Sequence, residues 1–198
     1  VILKRRKFYR IGAGIVFPIV YYFSPNKIIV EMLLLYLLGI MTTLEVMRYI
    51  SPNLWRVVAE HSKGILKVRQ GMITGTTALL ISNIIVIAFF DKQIAIVSLL
   101  YMLFGDTASA VIGTKYGKVK MGDKSLEGSL AFFITTMIIA LILYQWGNFR
   151  IPLLILTSGA IAATITEALP IEINDNLTVA LAAAVVMQIF PNVMQIFM

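Results

Sequence analysis

Asp106 lies inside an otherwise apolar run, and the residues after it are dense in glycine, lysine and hydroxyl groups. The order is Gly105-Asp106-Thr107-Ala108-Ser109-Ala110, then Gly113, Lys115, Gly117, Lys118, Lys120, Lys124-Ser125 and Glu127-Gly128-Ser129. Hard cations prefer oxygen ligands, and Mg²⁺ commonly takes one or two carboxylates together with substrate phosphates. Lysines serve as point charges toward oxyanions, and glycines such as Gly117 and Gly122 let a backbone approach phosphate closely. An acid, a lysine- and glycine-rich loop and a second acid, in that order, suit a metal-bound polyphosphate. Plainer uses exist for the same residues. Asp106 could pair with a loop lysine, and the loop could be an ordinary basic rim. On a helix Asp106 shares its face with Ser109, Ala110 and Gly113, a stripe of small residues that admits another helix or a ligand.

A second group runs from Glu167 through Pro170 and Asn174-Asp175-Asn176 to Thr178. Pro170 ends one apolar segment, and Asn174 or Asp175 opens the next, where free amides favour anions. Asn-Asp-Asn is equally a good helix cap. Glu167, still among apolar residues, is harder to explain as decoration, because an ionisable group in hydrocarbon costs several kcal/mol unless it has a partner or a task. Upstream, Glu45 and Arg48 are spaced for a helix ion pair, Thr74-Gly75 opens a further segment, and Arg6, Lys7 and Arg10 suit lipid head groups or a nucleotide. His61 reads as an interfacial residue.

The elements that must position these groups are membrane helices. Of 198 residues 59% are hydrophobic and 14% charged, whereas soluble domains run near 45–50% and about 25%. The fold class expected is all-α: a polytopic integral membrane protein, read as one domain over residues 1–198. About seven transmembrane helices are predicted, near Phe8–Phe23, Ile28–Ile50, Met72–Phe90, Ile94–Gly113, Leu126–Trp146, Ile151–Ala168 and Leu177–Phe190. A basic amphipathic interfacial segment follows Ser51-Pro52-Asn53, with Leu54, Val57, Val58, Ile65 and Leu66 on its apolar side. The alternating ten-residue pattern of a β-barrel is absent. There is no cysteine and a single histidine, so thiolate chemistry and multi-histidine metal sites are excluded. The basic run Lys4-Arg5-Arg6-Lys7 has no small-residue cleavage site after it and predicts a retained first helix.

Drawn with seven spans, one side of the membrane holds 14 of the 17 lysines and arginines, leaving Lys27, Lys92 and Arg150 on the other. That asymmetry predicts a cytoplasmic basic side. Asp106, Glu127, Glu167 and Asp175 fall at the same border, so the chemistry is expected to face the cytoplasm. The net charge of +7 is read as lysines facing anionic lipid rather than as nucleic-acid binding.

Three blocks together resemble the dolichol kinase and phytol kinase family, which also holds the CTP-dependent diacylglycerol kinases. They are Gly105-Asp106-x-Ala108-Ser109 with Gly113 and Tyr116-Gly117-Lys118; Lys124-Ser125-x-Glu127-Gly128-Ser129; and Glu167 followed by Asn174-Asp175-Asn176-Leu177-Thr178. Arg6-Lys7, Glu45 with Arg48 and Thr74-Gly75 fall in the right order upstream. Two departures stand out: Arg10 or its neighbours occupy the place of a family histidine, and Gln70 that of an acidic residue. The resemblance implies transfer of the γ-phosphoryl group of CTP, with Mg²⁺, to the hydroxyl of a lipid alcohol, whether polyprenol, phytol, geranylgeraniol or diacylglycerol. On this reading Asp106, Glu127 and Asp175 are metal ligands, and Asp106, Asp175 and Glu167 are catalytic. Lys115, Gly117, Lys118, Lys120, Lys124, Ser125, Gly128, Ser129 and Asn176 bind the nucleotide. The partners implied are CTP, the acceptor alcohol and membrane lipids. Part of the pattern is also similar to the CDP-diacylglycerol and CDP-archaeol synthases, which attack a different phosphorus of CTP. A small transporter is a third reading, disfavoured because the acids crowd one border and no matched halves are visible.

Overall fold

Three helices of this chain begin where a short polar side chain takes up a free amide. The Asn26 side chain accepts from the Ile28 amide at the start of the second helix, Thr74 from Thr77 at the third, and Ser125 from Gly128 at the fifth. Such caps stabilise a helix by about 1 kcal/mol each. A computed structural model describes residues 2–51, 74–122, 124–169 and 174–196. Among these residues are α1 (Ile2–Phe23), α2 (Lys27–Ile50), α3 (Gly75–Phe89), α4 (Lys92–Tyr116), α5 (Leu126–Gln145), α6 (Leu153–Ala168) and α7 (Asp175–Ile196). A small antiparallel hairpin, β1 (Lys120–Met121) and β2 (Lys124–Ser125), links α4 to α5. The chain is an all-α membrane protein.

Each of the seven apolar runs read from the sequence contains a helix among the described residues. The stretches Lys27–Met47, Lys92–Tyr116 and Leu126–Gln145 are long and apolar enough to cross a membrane, while Gly14–Phe23, Gly75–Phe89, Leu153–Ala168 and Asp175–Phe190 form shorter apolar runs. A helix of 15 residues such as α3 rises only about 22 Å, less than the ~30 Å hydrocarbon core. The amphipathic segment expected after Ser51, with His61 and Gln70, lies outside the described residues. So do Pro170 and the side chains of Arg6, Lys7, Arg10 and Arg48.

The centre of the bundle is α4. Ile94, Ala95, Ile96, Val97, Ser98, Leu99, Tyr101, Met102 and Leu103 are all buried, so this half of the helix is enclosed on every side. A helix apolar all round belongs in the middle of a bundle, and α1, α5, α6 and α7 pack around it. Tyr101 is fully buried, and its hydroxyl donates to the Leu156 carbonyl on α6 at 3.1 Å. Gly105 sets the spacing to α5: a Cβ there would lie 2.5 Å from the Phe132 ring. The two ends of the bundle differ. Lys27 bonds the Ala88 carbonyl, Lys92 reaches the Ser24 carbonyl at 2.8 Å, and the Arg150 amide donates to Gln93. Tyr22, Trp146 and Phe149 stack at this end, as aromatic residues do at a membrane interface. The lysine-rich hairpin occupies the other end.

Candidate active site at the hairpin end

The stretch Lys115–Ser125, expected to be a loop, is built more tightly than that. The α4 helix runs on to Tyr116, and Gly117 ends it with its amide bonded to the Gly113 carbonyl. The strands then pair Lys120 with Ser125 and Met121 with Lys124, around Gly122 at φ +63°, a backbone region that glycine enters without strain. Ser109 and Gly113 of the small-residue stripe receive the start of α5. A Cβ on Gly128 would stand 3.1 Å from the Ser109 hydroxyl, and one on Gly113 3.0 Å from that of Ser125. Part of the stripe therefore serves helix packing.

This packing places Ser109 and Ser129 on either side of Glu167. Ser109 Oγ donates to Glu167 Oε1 at 2.7 Å, and Ser129 Oγ to Oε2 at 3.0 Å. Glu167 is only 4% exposed, so the two hydroxyls solvate a carboxylate that water hardly reaches. Lys124, projecting from β2, bonds the Glu167 backbone carbonyl and pairs with Asp175 Oδ1 at 3.2 Å. Residues from α4, β2, α5, α6 and α7 thus meet at one point.

The neighbouring residue carries the network onward. Asn176 is fully buried, donates from its backbone amide to Asn174 Oδ1 at 3.1 Å, and donates from Nδ2 to the Gly75 carbonyl at 3.0 Å. Beside Gly75, the Thr74 amide and the Thr77 hydroxyl both donate to Glu45 Oε1, at 2.7 and 2.6 Å. Glu45, whose spacing suggested a pair with Arg48, therefore binds the start of α3. Thr77 was not singled out from the sequence, although Thr74-x-x-Thr77 at a helix start facing a lone acid is the signal that marks it.

The remaining expected residues are placed as follows. Asp106 is half-buried on α4, one turn before Ser109. Glu127 turns into the hairpin, where its carboxylate accepts from the Lys118 amide at 3.0 Å and the Val119 amide at 3.2 Å. Lys118 and Lys120 are exposed on the hairpin, and Lys115 Nζ lies 4.9 Å above the Tyr116 ring. Among the described residues, no group of three or more Asp, Glu, His or Cys side chains is gathered as a metal cage. A groove of about 710 Å³ runs between α4 and α5, with Glu127 as its one charged lining residue.

In comparisons with known proteins, the chain is 27% identical to uncharacterized protein RP860 of Rickettsia prowazekii over 197 residues, 96% of each chain. It is 29% identical to a probable chloroplastic phytol kinase of Triticum aestivum, over 60% of this chain and 44% of that protein. It is 31% identical to CTP-dependent diacylglycerol kinase 1 of Schizosaccharomyces pombe, over 50% of this chain and 52% of that protein. Part of this chain is similar to lipid kinases. The chain spans about half the length of these two kinases. No family model and no solved structure matches it.

Proposed function

We propose that the chain is a single-domain lipid kinase that transfers the γ-phosphoryl group of CTP to the hydroxyl of a membrane lipid alcohol at the cytoplasmic face. The observation that supports this best is the meeting of Ser109, Lys124, Ser129, Glu167 and Asp175 at one end of the bundle, beside exposed Lys118 and Lys120. Phosphoryl transfer requires positioning and charge stabilisation above all. A fixed lysine, a half-exposed acid and a lysine-bearing hairpin at a membrane border supply both.

In this reading Lys118, Lys120 and Lys124 hold the triphosphate oxygens. The acceptor oxygen forms a bond to the γ-phosphorus as the bond to the β–γ bridging oxygen breaks, and CDP leaves. Asp175 takes the proton of the acceptor hydroxyl. Glu167 is a positioning residue, since both its oxygens are engaged by serine hydroxyls.

The donor set suits Mg²⁺, a hard cation that shares its shell between phosphates and one or two carboxylates. Asp106 is the carboxylate assigned to it, and Asp175, paired with Lys124, is left to the acceptor hydroxyl. Glu127 accepts from two backbone amides, and it is assigned to shaping the hairpin. When bound, Mg²⁺ would neutralise charge on the phosphates during transfer.

The test gives purified protein γ-labelled CTP and a panel of lipid alcohols. Label on a lipid supports the kinase. Release of labelled pyrophosphate with an unlabelled CDP-lipid would identify a cytidylyltransferase instead, and no lipid product of either kind would remove the enzyme reading.

A further inference from the structure

Two consecutive backbone amides at the hairpin, those of Lys118 and Val119, point at one carboxylate. Glu127 Oε1 accepts from the Lys118 amide at 3.0 Å and from the Val119 amide at 3.2 Å, and Oε2 accepts from the Val119 amide at 3.3 Å. Successive amides turned toward one spot form a concavity that binds anions. Neither amide belongs to a helix, since α4 ends at Tyr116 and β1 begins at Lys120. The anion seated on them is a side chain of the protein itself.

The two amides are held in place by bonds that do not involve the Glu127 side chain. Before them, the Gly117 amide bonds the Gly113 carbonyl at 3.2 Å. A Cβ on Gly117 would stand 2.7 Å from Ser125 Oγ, so glycine lets the chain double back there. After them, the Val119 carbonyl accepts from the Leu126 amide at 3.0 Å, and Lys120 pairs with Ser125 across the strands. The Glu127 contact is of another kind. It lies at the exposed surface, where water can replace either partner and the net gain from each bond is small. Lys118, Val119 and Lys120 are all exposed, so an anion from solution can reach the same two amides. A phosphate group brings more charge and more acceptor oxygens than a carboxylate, and lysine ammonium groups attract it as point charges.

We propose that Glu127 is a displaceable internal ligand: before nucleotide binds, its carboxylate holds the Lys118 and Val119 amides, and a phosphate group of the triphosphate then displaces it and takes both. The contact is therefore autoinhibitory. An anion must engage the amides and the neighbouring lysines together to dislodge the carboxylate, which favours a polyphosphate over a small monovalent anion. The proposal rests on the nucleotide reading above and is independent of which lipid is the acceptor.

The test measures binding of inorganic tripolyphosphate and of CTP to the full chain in detergent by calorimetry, with divalent metal chelated. Glu127→Ala should tighten both by about fivefold, the effect of removing one like charge at contact distance in water. Glu127→Gln keeps an oxygen for the amides without the charge, should also tighten binding, and is the variant read if Glu127→Ala does not fold. In wild type carrying isotope-labelled valine, tripolyphosphate should shift the Val119 amide resonance. Weaker or unchanged binding in a folded variant would overturn the proposal and leave Glu127 as a brace of the hairpin. A Val119 resonance that tripolyphosphate does not move would overturn it as well. Lipid phosphorylation is assayed separately on wild type. Tightened binding without any phosphorylated lipid would remove the kinase and keep the displacement, whereas phosphorylated lipid without tightening would do the reverse.

Discussion

Lys124 Nζ stands 3.2 Å from Asp175 Oδ1, and the same ammonium bonds the backbone carbonyl of Glu167. One side chain therefore fixes the hairpin to the ends of two helices. An ammonium this placed is a structural tie and, on the proposed function, a phosphate-binding charge.

Lys124→Met keeps most of the side chain's length and removes the charge. Turnover should fall roughly 10²–10³-fold, the loss seen when one preorganised donor to a developing charge is deleted. A fall in unfolding temperature is also expected, because the pair is mostly buried and both Asp175 and the Glu167 carbonyl lose this donor. Kinetics with γ-labelled CTP and a thermal scan on the same preparation separate the two effects.

Asp106→Asn should abolish lipid phosphorylation while leaving the helical circular dichroism and the elution volume of the purified protein unchanged. Full turnover in this variant would remove Asp106 from the metal–nucleotide assignment. A steep dependence of wild-type turnover on added Mg²⁺, flattened by chelation, belongs to the same prediction.

Glu167→Leu leaves the Ser109 and Ser129 hydroxyls without their acceptor in a buried place. Each unsatisfied group costs about 1–3 kcal/mol, so a clear drop in unfolding temperature is expected. Glu167→Gln retains one acceptor oxygen and should recover much of that stability. Equal stability of both variants with wild type would show that these bonds do not hold the helices together.

Glu45→Leu and Thr77→Val should each loosen α2 from α3, and the double variant should cost less than the sum of the two. Hydrogen bonds between membrane helices are worth roughly 0.6–2 kcal/mol, so the coupling energy should fall in that range. A double-mutant cycle of unfolding free energies measures it. Purely additive costs would show that the 2.6 Å contact contributes nothing.

Helix number follows from composition and from runs of apolar residues, because the bilayer imposes length and polarity on each segment. Lys27, Lys92 and Arg150 do gather at the end away from the hairpin. The fine structure of the site was less legible. Glu45 lies 29 residues from Thr74 and Ser109 lies 58 from Glu167, and no local periodicity encodes pairings of that range. The strands of the hairpin are two residues each, too short for an alternating pattern to announce. Glu127 illustrates a further limit: an acid at the start of a helix beside lysines suggests metal or ion pair, and its bonds to the Lys118 and Val119 amides are visible only in the folded chain.

The partners of Lys124 are made late. They stand 43 and 51 residues downstream, so when the ribosome has delivered α5 to the membrane this lysine still has neither of them. The α4–α5 unit must then reside in the bilayer as a half-finished assembly, with its serines unmatched, until α6 and α7 arrive. Stalling translation between α5 and α6 should trap a membrane-inserted but protease-sensitive species, and releasing the stall should convert it to the resistant form.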